Sequence, residues 1–135
     1  MPTISAAENE RAVLSFRREP LADGIQMARV ALRQGESSLF HHHSRTRDTF
    51  YVLKGELVVT LRVASGSPGY YVIAKPRREA AGPEPRMTRV TLGPGDVLVI
   101  DPGIVHCAAN LAAAPCEFLC LEGVGEYDFI QAETT

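Results

Sequence analysis

Nowhere does this sequence carry a run approaching the ~18 apolar residues of a membrane-spanning helix, so a bilayer is not an expected partner. Cationic surplus is missing too. Lys54 and Lys75 are the only lysines, the net charge is -2 and the isoelectric point is about 6.1. Nothing there would neutralise a phosphate backbone, and nucleic acid is excluded as an expected partner. The twelve arginines beside two lysines read as compositional bias rather than as a binding signature. The start of the chain has Glu8, Glu10 and Arg11 where a secretory leader needs an apolar stretch, so a cytoplasmic protein is expected. Cysteine is sparse: Cys107, Cys116 and Cys120 are odd in number and lack C-x-x-C spacing, which argues against a disulfide framework or a zinc knuckle. Cys116 and Cys120 fall on one strand face and read as small buried hydrophobes. Helical periodicity is absent as well, because Gly or Pro cuts every long apolar-periodic window before two turns complete.

What is present is turn chemistry and short β-forming runs. The chain has 135 residues, 45% of them hydrophobic and 22% charged, enough for one core and one domain. Eleven Gly and nine Pro punctuate clusters of β-branched and aromatic residues, the signature of an all-β domain. Strands are expected at Ala12–Phe16, Ile25–Leu32, Leu39–His43, Thr49–Leu53, Glu56–Arg62, Tyr70–Ile73, Thr88–Leu92, Val97–Ile100, His106–Asn110 and Glu117–Leu121. So many short strands point to a barrel or jelly roll. Two segments fall outside the even spacing. Residues 1–11 are polar and read as an N-terminal arm, and 66–86 read as an inserted hairpin followed by a long loop.

The chemistry lies in four histidines. His41, His42 and His43 are consecutive, and His106 follows far along the chain after the turn Asp101-Pro102-Gly103. On an extended strand His41 and His43 project from one face and His42 from the other. Two imidazoles from one strand and a third, His106, from another can converge on a metal ion. Asp48 can add a carboxylate if it opens the next strand facing inward after the turn Ser44–Arg47. Three neutral nitrogens with one carboxylate oxygen suit one divalent transition metal: Fe, Mn, Ni, Cu or Zn.

These residues resemble the two motifs of the cupin superfamily. The first reads Gly35, five residues, His41-His42-His43, four residues, Asp48, six residues, Gly55; the second reads Gly95, five residues, Asp101-Pro102-Gly103, two residues, His106, three residues, Asn110. Two positions depart from the family pattern: Asp48 stands where Glu is usual, one methylene shorter, and Asp101 where Pro is usual. The resemblance implies a cupin-type jelly-roll β-barrel, a double-stranded β-helix. It also implies a divalent metal held inside by His41, His43, His106 and Asp48.

On that reading the protein is a metal-dependent enzyme of dioxygenase type acting on a small organic substrate, because three histidines leave coordination positions open. A sugar isomerase or epimerase, and a non-catalytic small-molecule-binding barrel, are the alternatives. Phe50 lines the barrel if Asp48 faces inward. Arg29 lines it, and can anchor an anionic substrate, if the Ile25, Met27, Ala31 face of its strand is the inner one; the sequence leaves that register open. Exposed sheet edges predict a homodimer, with Ala12–Phe16 as a candidate strand donor.

Overall fold

The computed structural model describes residues 15–132, and it contains no helix among them. Twelve strands run β1 Ser15–Ala22, β2 Ile25–Leu32, β3 His41–His42, β4 Arg47–Lys54, β5 Leu57–Leu61, β6 Tyr70–Ile73, β7 Arg78–Ala81, β8 Thr88–Leu92, β9 Val97–Ile100, β10 His106–Ala109, β11 Cys116–Gly123 and β12 Ile130–Gln131. They form two six-stranded sheets ordered β1-β2-β11-β4-β9-β6 and β12-β3-β10-β5-β8-β7, and every pairing within them is antiparallel. This is the all-β jelly roll that the turn-rich pattern predicts.

Alternation along the strands builds the core between the sheets. On β8 and β9 the buried residues are Thr88, Val90 and Leu92, and Leu98 and Ile100; on β4 they are Asp48, Phe50 and Val52. On β2 the buried face is Ala28, Val30 and Leu32. That settles the register left open by the sequence and corrects one expectation: Arg29 lies on the outer face, exposed, 3.6 Å from Glu117 of the neighbouring β11. The reason is steric and electrostatic. A guanidinium directed inward would have to displace aliphatic packing and lose its water, whereas outside it meets a carboxylate.

Three other expectations need correction. The stretch 66–86 is not a hairpin with a loop, because β6 pairs with β9 in one sheet and β7 with β8 in the other. β7 has no β-forming pattern of its own and is held at the sheet edge by its ladder to β8. Of the proposed strand donor, Ala12 to Leu14 lie outside the described residues, as does the arm 1–11, while Ser15 and Phe16 pair within the same chain with Ala31 and Val30. The expected Leu39–His43 strand shrinks to two residues, flanked by β10 and β12.

Gly55 shows why the first motif needs its closing glycine. It turns β4 into β5 at φ 77°, a left-handed backbone, and a Cβ built there would sit 2.4 Å from the Pro115 carbonyl oxygen. Both the conformation and the space require a residue without a side chain. Asn110, closing the second motif, is structural: its Nδ2 donates to the carbonyls of Leu32 and Ala114, each at 2.9 Å, and its Oδ1 accepts from the Ala112 amide.

Candidate metal centre

Three strands deliver four polar side chains to one point inside the barrel. β3 supplies His41, and His43 follows it directly; β4 supplies Asp48, and β10, paired to β3 through His106 and His41, supplies His106. All four side chains are buried, and one donor atom from each lies within 4.8 Å of the others.

Each imidazole is oriented by a backbone carbonyl. Nδ1 of His41 donates to Leu39 O at 2.6 Å, Nδ1 of His106 to Ile104 O at 2.9 Å, and Nδ1 of His43 to Asp128 O. Leu39 and Ile104 each precede their histidine by two residues, so the same local device serves both motifs. A carbonyl can only accept, so all three Nδ1 atoms carry protons and all three Nε2 atoms turn toward the centre, the arrangement expected of ligating histidines.

The shorter Asp48 still reaches. Its Oδ2 is 2.9 Å from His106 Nε2 and 3.0 Å from His43 Nε2. Ligands bound at about 2.0–2.2 Å to one ion lie roughly 3 Å apart where they are neighbours, so these separations are those of adjacent ligands. Asp48 Oδ1 is buried and lacks a hydrogen-bond partner, an orphaned acceptor that a cation at this point would satisfy. By this donor chemistry the residues fit a divalent metal.

Without an ion, protons do part of a cation's work. Burial opposes a charged His43, yet the hydrogen bond and charge of Asp48, the Asp128 carbonyl and the charge of Glu122 outweigh it and lift its pKa to about 9. Burial and the charges of His106 and His43 push His41 down to about 3. Burial would raise the Asp48 carboxyl, but hydrogen bonds from His106 and His43 hold it well below the usual carboxylate range.

Phe50 lies where the inward reading of Asp48 places it, buried at 4% exposure, its ring 6.0 Å from that of His106. Arg29 is remote from this cavity. His42 is half-buried and outside the donor cluster. Asp101 pairs with Arg47 at 2.9 Å on the surface and takes no part in the centre.

Sequence reasoning missed three neighbours. Glu122 on β11 is buried, with Oε2 3.3 Å from His43 Nε2. Tyr127 tilts against His43 with ring centroids 5.1 Å apart, and Phe129 stacks on His41 at 4.4 Å. The expected strand Glu117–Leu121 stopped one residue short of Glu122, although the face shared by Cys116 and Cys120 leads to it two residues on. Tyr127 and Phe129 lie in no regular element, and periodicity carries no signal for them.

His41, His43 and Asp48 open onto a cavity of about 60 Å³, walled by Ala28, Val30, Leu32, Phe50 and Phe118 and bordered by Ser38, Tyr127 and Phe129. Among the described residues no lysine or arginine lines it.

Among solved structures, an oxalate oxidase superposes with a TM-score of 0.60 at 20% identity, covering 80% of this chain and 46% of its own. Oxalate decarboxylase from Bacillus subtilis superposes with a TM-score of 0.60 at 18% identity, covering 81% of this chain and 24% of its own. Peruvianin-I, a cysteine peptidase from Thevetia peruviana latex, gives 0.59 at 18% identity, covering 83% of this chain and 58% of its own. This chain thus spans less than half the length of either oxalate enzyme, and at such identities the likeness is one of fold. No curated protein matches it in sequence. The cupin family model does match, over residues 17–127, a span that takes in both histidine motifs and the buried centre they build: the chain belongs to the cupin family.

Proposed function

We propose that the protein is a metal-dependent cupin enzyme of oxidative, dioxygenase type, acting on a small organic substrate whose body is largely apolar. The observation that carries this reading is the buried convergence of His41, His43, His106 and Asp48 beside a cavity with aliphatic and aromatic walls. When bound, the metal supplies a Lewis acid and, if redox-active, a centre for dioxygen. His41, His43 and His106 would hold it through Nε2, with Asp48 as the carboxylate.

The chain's own groups fix what can enter. About 60 Å³ accommodates a few non-hydrogen atoms beyond the metal's own position. With Asp48 and Glu122 beside it and no arginine or lysine among the described residues of its lining, the cavity disfavours a free anion. A substrate oxygen must therefore be recognised at the metal while its carbon skeleton packs on Val30, Leu32, Phe50 and Phe118. Oxalate, named for two of the structural neighbours, has no apolar part to use these walls. Tyr127 and Phe129 flank the histidines and exclude water from the donor atoms.

The test is the metal content of protein purified without an affinity tag, followed by dioxygen uptake with a panel of small enols, thiols and hydroxy-ketones. Iron, manganese, nickel or copper with substrate-dependent uptake supports the reading. Zinc without uptake overturns the oxidative part, and protein that takes up no metal overturns the centre.

A further inference from the structure

We propose that Glu122 is a second carboxylate ligand of the metal, delivered from β11, so that the centre is three histidines and two carboxylates rather than three and one. The inference rests on the metal-centre reading above and goes beyond its ligand set.

Placement comes first. Asp48 on β4 and Glu122 on β11 are directly opposed in the antiparallel register, so their side chains leave the sheet on the same inner face. Glu122 is 3% exposed, and its Oε2 stands 3.3 Å from the Nε2 of His43. That nitrogen is the atom His43 offers inward, since its Nδ1 is held by the Asp128 carbonyl. The carboxylates of Asp48 and Glu122 have donor atoms within 4.8 Å of each other, in a group with Cys120; Glu122 stands outside the tighter set of three histidines and Asp48, so binding the shared ion requires its longer side chain to rotate toward them. One nitrogen therefore has both carboxylates at the separation of adjacent ligands. The orphaned Asp48 Oδ1 is an independent sign that a cation belongs among these groups.

Charge gives the second argument. Ligating imidazoles are neutral, so a divalent ion with Asp48 alone leaves the buried site at net +1 and Glu122 as a further buried anion beside it. The total charge is zero either way, but an unbound Glu122 leaves a buried cationic centre and a buried carboxylate apart, whereas ligation brings the opposite charges into direct contact, the arrangement burial favours. Reach gives the third. The family's usual Glu is shortened here to Asp48, and the longer carboxylate appears on the strand paired to it. Five nitrogen and oxygen donors exceed the tetrahedral set that suits zinc and favour a six-coordinate ion such as Mn(II) or Fe(II), with one position left for substrate or dioxygen.

The experiment is titration of the full chain with Co(II), read by affinity, stoichiometry and the visible ligand-field bands. Glu122→Leu removes the donor and keeps the volume; affinity should fall at least about tenfold and the bands should intensify as the coordination number drops. Glu122→Gln keeps the shape and removes the charge, and serves if the leucine variant does not fold; its affinity should fall by a similar factor. In an Asp48→Glu background, where the longer carboxylate reaches further, the cost of Glu122→Gln should shrink. A leucine variant with wild-type bands, a glutamine variant with wild-type affinity, or two cobalt ions per wild-type chain overturns the proposal, the last placing a second ion on Asp48, Cys120 and Glu122. If His106→Ala abolishes cobalt binding while the Glu122 variants behave as wild type, the metal centre stands and only the role of Glu122 falls. A wild-type chain that takes up no cobalt removes both.

Discussion

Nε2 of His43 lies 3.0 Å from Asp48 and 3.3 Å from Glu122, one imidazole nitrogen held between carboxylates from two paired strands. A proton or a metal ion can occupy that position, but not both, and the competition between them governs the behaviour of the centre.

Asp48→Asn keeps the shape of the side chain and removes its charge. Metal affinity should fall by about 10–100-fold or more, measured by competition with a chelator. In the metal-free protein the His43 pKa should drop from about 9, followed through its ring protons by NMR. An unchanged His43 titration would remove Asp48 as the main support of that proton.

The metal-free protein should be most stable near pH 6.5. His43 has its pKa raised to about 9 from an ordinary 6.5, so its contribution is complete below 6.5 and is lost as pH rises through 9. His41 is depressed to about 3, so between 6.5 and 3 the unfolded chain takes up a proton that the folded chain refuses, and stability falls with falling pH. Asp48, depressed as well, adds to the acid loss below the carboxylate range. Bound metal displaces the His43 proton, so affinity should rise from pH 6.5 to 9 and the alkaline loss should vanish in the loaded protein. Denaturant midpoints across pH, with chelator and with metal, check both limbs.

Replacing His106 by Ala should abolish most metal binding while far-ultraviolet circular dichroism still reports strands, because the apolar core does not depend on the imidazole. His42→Ala and Arg29→Ala should bind metal as the wild type does, since neither side chain belongs to the donor cluster. Elemental analysis of the three variants, prepared in parallel, decides the matter.

Gly55→Ala should destabilise the fold by at least about 1–3 kcal/mol, the cost of a left-handed non-glycine residue. The close approach of a Cβ to the Pro115 carbonyl adds to it. Urea unfolding measures the loss, and a midpoint within error of wild type would show that the turn can rearrange freely.

We propose a homodimer in which a second copy would cover the outer face of the first sheet. Tyr51, Val97 and Ile73 align across β4, β9 and β6, with Val99 and Tyr71 in the adjacent row, and the two tyrosines and Ile73 are exposed. Light scattering at tens of micromolar should give twice the 14.7 kDa chain mass, and Tyr71→Asp should shift the protein toward monomer.

How far the sequence reaches depends on how each element is held. Strands with a regular buried apolar face, such as Thr88–Leu92 and Val97–Ile100, coincide with their expected limits, and so does the edge strand Tyr70–Ile73, whose aromatic and β-branched residues mark it. The donors His41, His43, Asp48 and His106 are brought together as strand alternation and the motif spacings predict. Arg29 was ambiguous because this sheet is apolar outside as well as inside: Met27 on its own strand and Tyr51 and Leu119 on the neighbouring ones share its outer face, so alternation of polarity carries little information there. β7 and β12 pair at sheet edges through backbone groups common to every residue, and Tyr127 and Phe129 reach the centre from the irregular segment between β11 and β12.

That irregular segment also sets an order of events in biosynthesis. The Asp128 carbonyl that orients His43 comes 85 residues after it in the chain. Ser44, next to His43, is tied to the Asp128 carboxylate through both its amide and its hydroxyl. While the chain is still being synthesised, His41 and His43 have left the ribosome long before the partners that aim and cover them exist. Nascent chains halted before residue 122 hold His41, His43, His106 and Asp48 but neither Glu122 nor the clasp at Asp128. On the proposed ligand set, metallation of the complete centre would follow closure of the barrel, and the ion would be received by a folded domain rather than serve as the template on which it folds.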